Sequence, residues 1–68
     1  MKSLNITGTL VTEKTVEGYI RRMMDTLYNK MFDMASMVVL DEIETKCVNA
    51  GLITWERIGE LDSEFNDI

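Results

Sequence analysis

Sixty-eight residues carry twelve acidic and seven basic side chains, no histidine, no proline and a single cysteine, for a formal net charge of −5. A chain this short buries only about 60% of the surface that its unfolded form exposes, so it stands near the lower limit of independent stability. One thiol excludes an intrachain disulfide, and without histidine the scattered carboxylates do not form a structural zinc site. Of the usual supports for a small fold, oligomerisation or folding onto a partner remains.

Hydrophobic residues make up 46% of the chain, which is too many for a disordered segment. The longest apolar run, Met37 to Leu40, is far below the roughly 20 residues of a membrane helix. The start of the chain shows no basic-then-apolar signal profile, so a cytoplasmic protein is expected, with no membrane partner. Charge is uneven: residues 51–68 hold Glu56, Glu60, Asp62, Glu64 and Asp67 against Arg57 alone. Binding to nucleic acid needs a basic footprint to neutralise phosphates, and this balance is the reverse of one.

In chain order, Ser3 to Val11 comes first. Leu4, Ile6 and Leu10 alternate with Asn5, Thr7 and Thr9, the period-2 pattern of a half-buried strand, with Gly8 as a weak point or bulge. No second strand-like run follows it. A lone strand must pair outside its own chain or remain a frayed arm.

The second segment, residues 12–50, reads as one long helix. Thr12 is placed as its N-cap, with Val11 and Val16 as a hydrophobic staple. Ile20, Met24, Leu27, Met31, Met34 and Val38 recur at alternating spacings of 4 and 3, a heptad-like seam. Phe32, Ala35, Val39, Ile43 and Cys47 form a second stripe. Between them, Met31 to Leu40 is apolar almost all round, interrupted only by Asp33 and Ser36. A helix apolar on every side is buried on every side. Either the chain bends near Asp33 to Ser36 and folds on itself, or this section is the centre of a multi-helix interface. With no glycine, proline or asparagine there to mark a turn, the unbroken helix in an oligomer is the favoured reading.

The third segment has clear punctuation. Gly51 suits the left-handed position after a helix end, Leu52 can pack back on Cys47, and Ile53 and Ile58 form a staple around Thr54 as the next N-cap. Ile58, Leu61 and Phe65 then line one face of a short helix over residues 54–66. The run Asn-Ala-Gly-Leu-Ile-Thr-Trp-Glu resembles the corner of short helical oligomerisation modules of the SHOCT type and of some small phage tail-associated proteins. That resemblance covers Val48 to Glu60 and implies a helical hairpin; Ile58 and Leu61 depart from it, standing where those families prefer an aromatic and a later basic residue.

The expectation is one mostly α-helical domain: a short N-terminal strand or arm over 3–11, the long helix, and a short C-terminal helix closing a helical hairpin. No enzyme is expected. General acid–base work at neutral pH most often uses histidine, and Cys47 has no base beside it. Asp41, Glu42 and Glu44 lack the spacing and glycine turn of a calcium loop, and the four glycines form no phosphate loop. No cofactor, metal or small-molecule substrate is therefore assigned. Five methionines within Met23 to Met37 fit either a loosely specified core or an adaptable docking surface.

The expected function is a protein–protein interaction module that self-associates as a dimer or larger and modulates a larger partner protein. Leu27, Met31, Met34, Ala35, Val38 and Val39 are the expected oligomer interface; Met24, Trp55, Glu60, Asp62 and Glu64 are the expected partner-binding residues. Two rival readings are an acidic phage-type inhibitor that mimics nucleic acid on a basic channel, and a minor structural subunit of an assembly.

Overall fold

Glycine at the second position of a two-residue turn permits the positive φ that a tight β-hairpin demands. Such a turn opens this fold. In a computed structural model that describes residues 2–30 and 33–66, β1 (Ser3–Ile6) and β2 (Thr9–Thr12) pair antiparallel, with Ser3 opposite Thr12 and Ile6 opposite Thr9. Thr7 and Gly8 between them have φ of 46° and 86°, the type I′ signature, and Asn5 Oδ1 accepts from the Gly8 N–H at 3.1 Å. The expected lone strand is thus two strands that satisfy each other. The turn also changes which residues share a face. Val11 stands opposite Leu4 and is fully buried, whereas Leu10 faces away and is 62% exposed. A β-branched residue at positive φ is strained. Thr7→Asn should therefore raise stability by about 1 kcal/mol, read as a higher urea midpoint at unchanged slope.

Three helices follow: α1 (Val16–Asn29), α2 (Met34–Asn49) and α3 (Trp55–Asn66). Thr12 is not the cap of α1. Its backbone belongs to the ladder, its N–H donates to Thr15 Oγ1 at 2.9 Å, and its carbonyl accepts from the Thr15 N–H at 3.1 Å, so the helix begins three residues later than expected. The expected continuous helix is two. The Lys30 N–H still bonds to the Thr26 carbonyl, but Asp33 is extended and its side chain accepts from the Ser36 N–H at 2.7 Å as the N-cap of α2. Aspartate is a poor helix interior and a good N-cap, which favours this start over continuation. The gain from folding back is large. A rod through residues 13–50 would run about 57 Å, whereas the longest extent of the folded chain is 35 Å.

The core is assembled on α1. Val16, Ile20, Met24 and Leu27 are buried along one side of it, and α2, α3 and β2 each pack against this helix. α2 contributes Leu40, Ile43 and Cys47; α3 contributes Ile58 and Leu61; Ile6 and Val11 close one end. The corner between α2 and α3 is a Schellman motif. Gly51 has φ of 76°, its N–H donates to the Val48 carbonyl, and the Leu52 N–H donates to the Cys47 carbonyl, both at 3.0 Å. Thr54 then caps α3, its Oγ1 accepting from the Arg57 N–H at 3.1 Å.

Polar contacts tie α3 to α1. The Arg57 guanidinium makes a bidentate pair with Glu17 at 2.9 Å through both bonds, and its third nitrogen meets Glu60 at 3.0 Å. Arg21 pairs with Glu64, Tyr28 Oη donates to Asp62, and the Tyr28 and Phe65 rings lie 6.0 Å apart. Glu17 at the start of α1 meets Arg57 at the start of α3, and Tyr28 near its end meets Asp62 and Phe65, so the two helices run in the same direction. The expected hairpin of a long helix against a short one is replaced by two separate packings on a central α1.

Candidate protein-docking surface

The start of α2 is where sequence and packing disagree most. Its core side is set by Leu40, Ile43 and Cys47, at spacings of 3 and 4. The preceding residues Met34 to Val39 carry no charge, and their large apolar side chains are exposed: Met34 is 76% exposed, Met37 44%, Val38 51% and Val39 47%. Ala35 is exposed as well. A groove of about 260 Å³ lies on one side, where Ala35 and Val39 face Met23 and Thr26 of α1. Another, of about 430 Å³, lies on the other side, where Met34, Met37 and Val38 face Tyr28. Leu27 lines both. Scattered single apolar residues on a surface are ordinary, but an uninterrupted patch rimmed by polar groups marks a binding surface.

Of the expected interface residues, Met34, Ala35, Val38 and Val39 therefore lie together on one exposed surface. Leu27 is only 4% exposed and serves as the common wall of the two grooves, and Met31 lies outside the described residues. Met23 and Met37, two of the methionines expected to serve as core or docking surface, also line these grooves, as does Tyr28, which no sequence pattern marked. Met37 falls on neither heptad stripe, and its exposure follows only once the end of α1 is known.

The expected partner-binding residues are not gathered into one site. Met24 is 1% exposed, in the core, so it offers no side chain to a partner. It lies with Ile20 and Leu27 on the side of α1 that forms the core. Trp55 is half exposed at the start of α3, away from both α2 grooves. Glu60, Asp62 and Glu64 each have an intramolecular partner, respectively Arg57, Tyr28 and Arg21.

Further along α2, Glu44 is half-buried. Burial, with the negative charges of Asp41 and Asp62, raises its carboxyl from 4.5 to about 6. A carboxyl raised in the folded state opposes folding once it ionises, so stability falls as pH rises from 4.5 through about 6. Glu17 is held low by its hydrogen bonds to Arg57, and Asp33 by the Ser36 N–H. Those two act oppositely: their contribution is present above the ordinary carboxylate range and is lost as pH drops through their lowered values. Glu44→Gln should flatten the slope between pH 4.5 and 6 and stabilise the protein at pH 7 by about 1 kcal/mol, a figure discounted for the group's partial exposure. Thermal melts across that range read the effect.

Burial also raises the Cys47 thiol, with Glu44 adding to the shift, and the residue is fully buried. It packs as a small hydrophobe among the core residues. Among the described residues no group of three or more metal-ligating side chains is close enough to hold an ion, and no helix is long and apolar enough to cross a membrane. No family model, curated protein or solved structure matches the chain.

Proposed function

We propose that this chain is a small, non-enzymatic, cytoplasmic protein–protein interaction module that self-associates through the first turns of α2 and modulates or inhibits a larger partner protein. The observation that carries the reading is the exposure of four large apolar side chains, Met34, Met37, Val38 and Val39, within six consecutive residues that bear no charge. A specific interface buries at least about 600 Å² per partner, which is about one eighth of the 4757 Å² surface of this chain. A second copy laid antiparallel across α2 supplies an identical apolar surface. It also brings Asp41 and Glu42 of each copy toward the positive N-terminal end of the other's α2.

Sedimentation equilibrium at micromolar concentration is the test. A dimer or larger supports the reading, and a monomer throughout overturns it. The rival reading, an acidic phage-type inhibitor that mimics nucleic acid, draws less support. Three acids expected to form its face, Glu60, Asp62 and Glu64, are occupied by contacts within the chain.

A further inference from the structure

A second surface lies on the opposite edge of the hairpin from β1. A groove of about 370 Å³ runs between β2 and α1, walled by Leu10 on the strand side and by Lys14, Gly18, Tyr19 and Arg22 on the helix side. β1 contributes nothing to its lining. We infer that this groove binds an extended acidic segment of a partner protein, which adds to the edge of β2 as a third strand and sets carboxylates against Lys14 and Arg22.

Backbone geometry supplies the first reason. Ile6 and Thr9 flank the two-residue turn, so they are a hydrogen-bonded pair, and by alternation Asn5 and Leu10 are not. The Leu10 N–H and carbonyl therefore point away from β1, and among the described residues no hydrogen bond reaches them. The neighbouring outward groups, on Thr12, are already closed by Thr15. That leaves one pair of bonds open at the edge, beside a leucine side chain that is 62% exposed. An open strand edge next to apolar surface is the arrangement that strand addition uses.

Charge supplies the second. In a chain of net charge −5, Arg21 and Arg57 are paired with Glu64 and Glu17, whereas Lys14 and Arg22 form no ion pair among the described residues. Arg22 lies over the Tyr19 ring at 5.9 Å, which holds the guanidinium at the groove. No carboxylate lines the groove. Glu17, next to Gly18, is committed to Arg57; Glu13 lies outside this groove and lines an adjoining hollow that it shares with Lys14, with which it forms no ion pair among the described residues.

Gly18 supplies the third. Glycine inside a helix is less stable than alanine, yet a Cβ at this position would meet nothing within 4 Å. Packing does not require the glycine. Its missing side chain opens the floor of the groove to the depth of the helix backbone, where an aliphatic side chain of the added strand can rest between Leu10 and Tyr19.

The test is an amide-resolved NMR titration of the full chain with a blocked pentapeptide, Asp-Thr-Leu-Thr-Asp, whose leucine and two aspartates share one face of an extended strand, beside the same peptide with asparagine replacing each aspartate. Shifts should concentrate at Leu10 and along Lys14 to Arg22, and the asparagine peptide should bind at least about 10-fold more weakly. Arg22→Ala should lose about as much again, and raising salt should weaken binding of the acidic peptide several-fold. Gly18→Leu should abolish binding while its melting temperature equals or exceeds that of the wild type, which separates a blocked groove from a damaged fold. Equal binding of the two peptides, shifts centred on Met34 to Val39, or unaltered binding by Gly18→Leu would overturn the assignment. So would shifts at the groove that depend on protein concentration alone, since a second copy would then be the occupant.

Discussion

Val38→Glu should turn the proposed self-associated form of the protein into a folded monomer. Val38 is half exposed on the chain by itself, so a carboxylate there meets water in the monomer and costs little. In the proposed interface the same carboxylate is desolvated with no cation among Met34 to Val39 to meet it. An unpaired charge held in such a place costs about 3–5 kcal/mol, which is a rise of at least about 100-fold in the dissociation constant. Sedimentation equilibrium would show the mass fall while far-ultraviolet circular dichroism and the monomer's melting behaviour stay close to wild type. Ile43→Glu is the necessary contrast. That side chain belongs to the core on the same helix, and the substitution should unfold the chain at any concentration. If Val38→Glu keeps the wild-type mass, association does not run through the start of α2.

The apolar stripes could be read from spacing, but where they stop lining a core could not. Ile20, Met24 and Leu27, from the first stripe, and Ile43 and Cys47, from the second, are all buried. The intervening members Met34, Ala35, Val38 and Val39 obey the same periodicity and stand in solvent. Periodicity identifies a face that is able to be buried, and only the tertiary course of the chain decides what covers it. The break between α1 and α2 did leave a local trace in Asp33, a residue better suited to capping than to a helix interior. Within an apolar run it reads equally well as one polar position.

The hairpin was obscured by chemistry at the turn. Asparagine or aspartate before glycine is the usual I′ pair, and threonine in that place disguises the turn as continuing strand. Once Thr7 and Gly8 are taken out of the ladder, the alternation restarts and exchanges Leu10 for Val11 on the buried face. The acidic residues of α3 were misleading for another reason. Their neighbours Arg21 and Tyr28 lie more than thirty positions earlier, and no local pattern reveals such partners. The corner at Gly51 and Thr54 was the most legible part, because capping bonds link residues a few positions apart.

Leu61→Ala should remove a large share of the chain's stability and bring its urea midpoint well below that of the wild type. The side chain is fully buried where α3 packs on α1, so its truncation forfeits the transfer energy of the removed carbons and leaves a cavity. Such changes cost about 2–5 kcal/mol. At about 0.05–0.15 kcal/mol per residue, a chain of this length has a total stability of about 3–10 kcal/mol. A single core truncation therefore removes about half of it. Trp55→Ala, by contrast, removes a larger side chain that is half exposed, and its effect on the melt should be small. Met24→Ala belongs with Leu61→Ala, because Met24 is buried along the same face of α1 as Ile20 and Leu27. Loss of binding in that variant would report a failing core. Only surface changes such as Val38→Glu and Gly18→Leu keep the two readouts apart. Urea titrations of Leu61→Ala, Met24→Ala and Trp55→Ala decide the ordering. If the two core variants unfold at the wild-type midpoint, α1 is not the helix on which this protein is built.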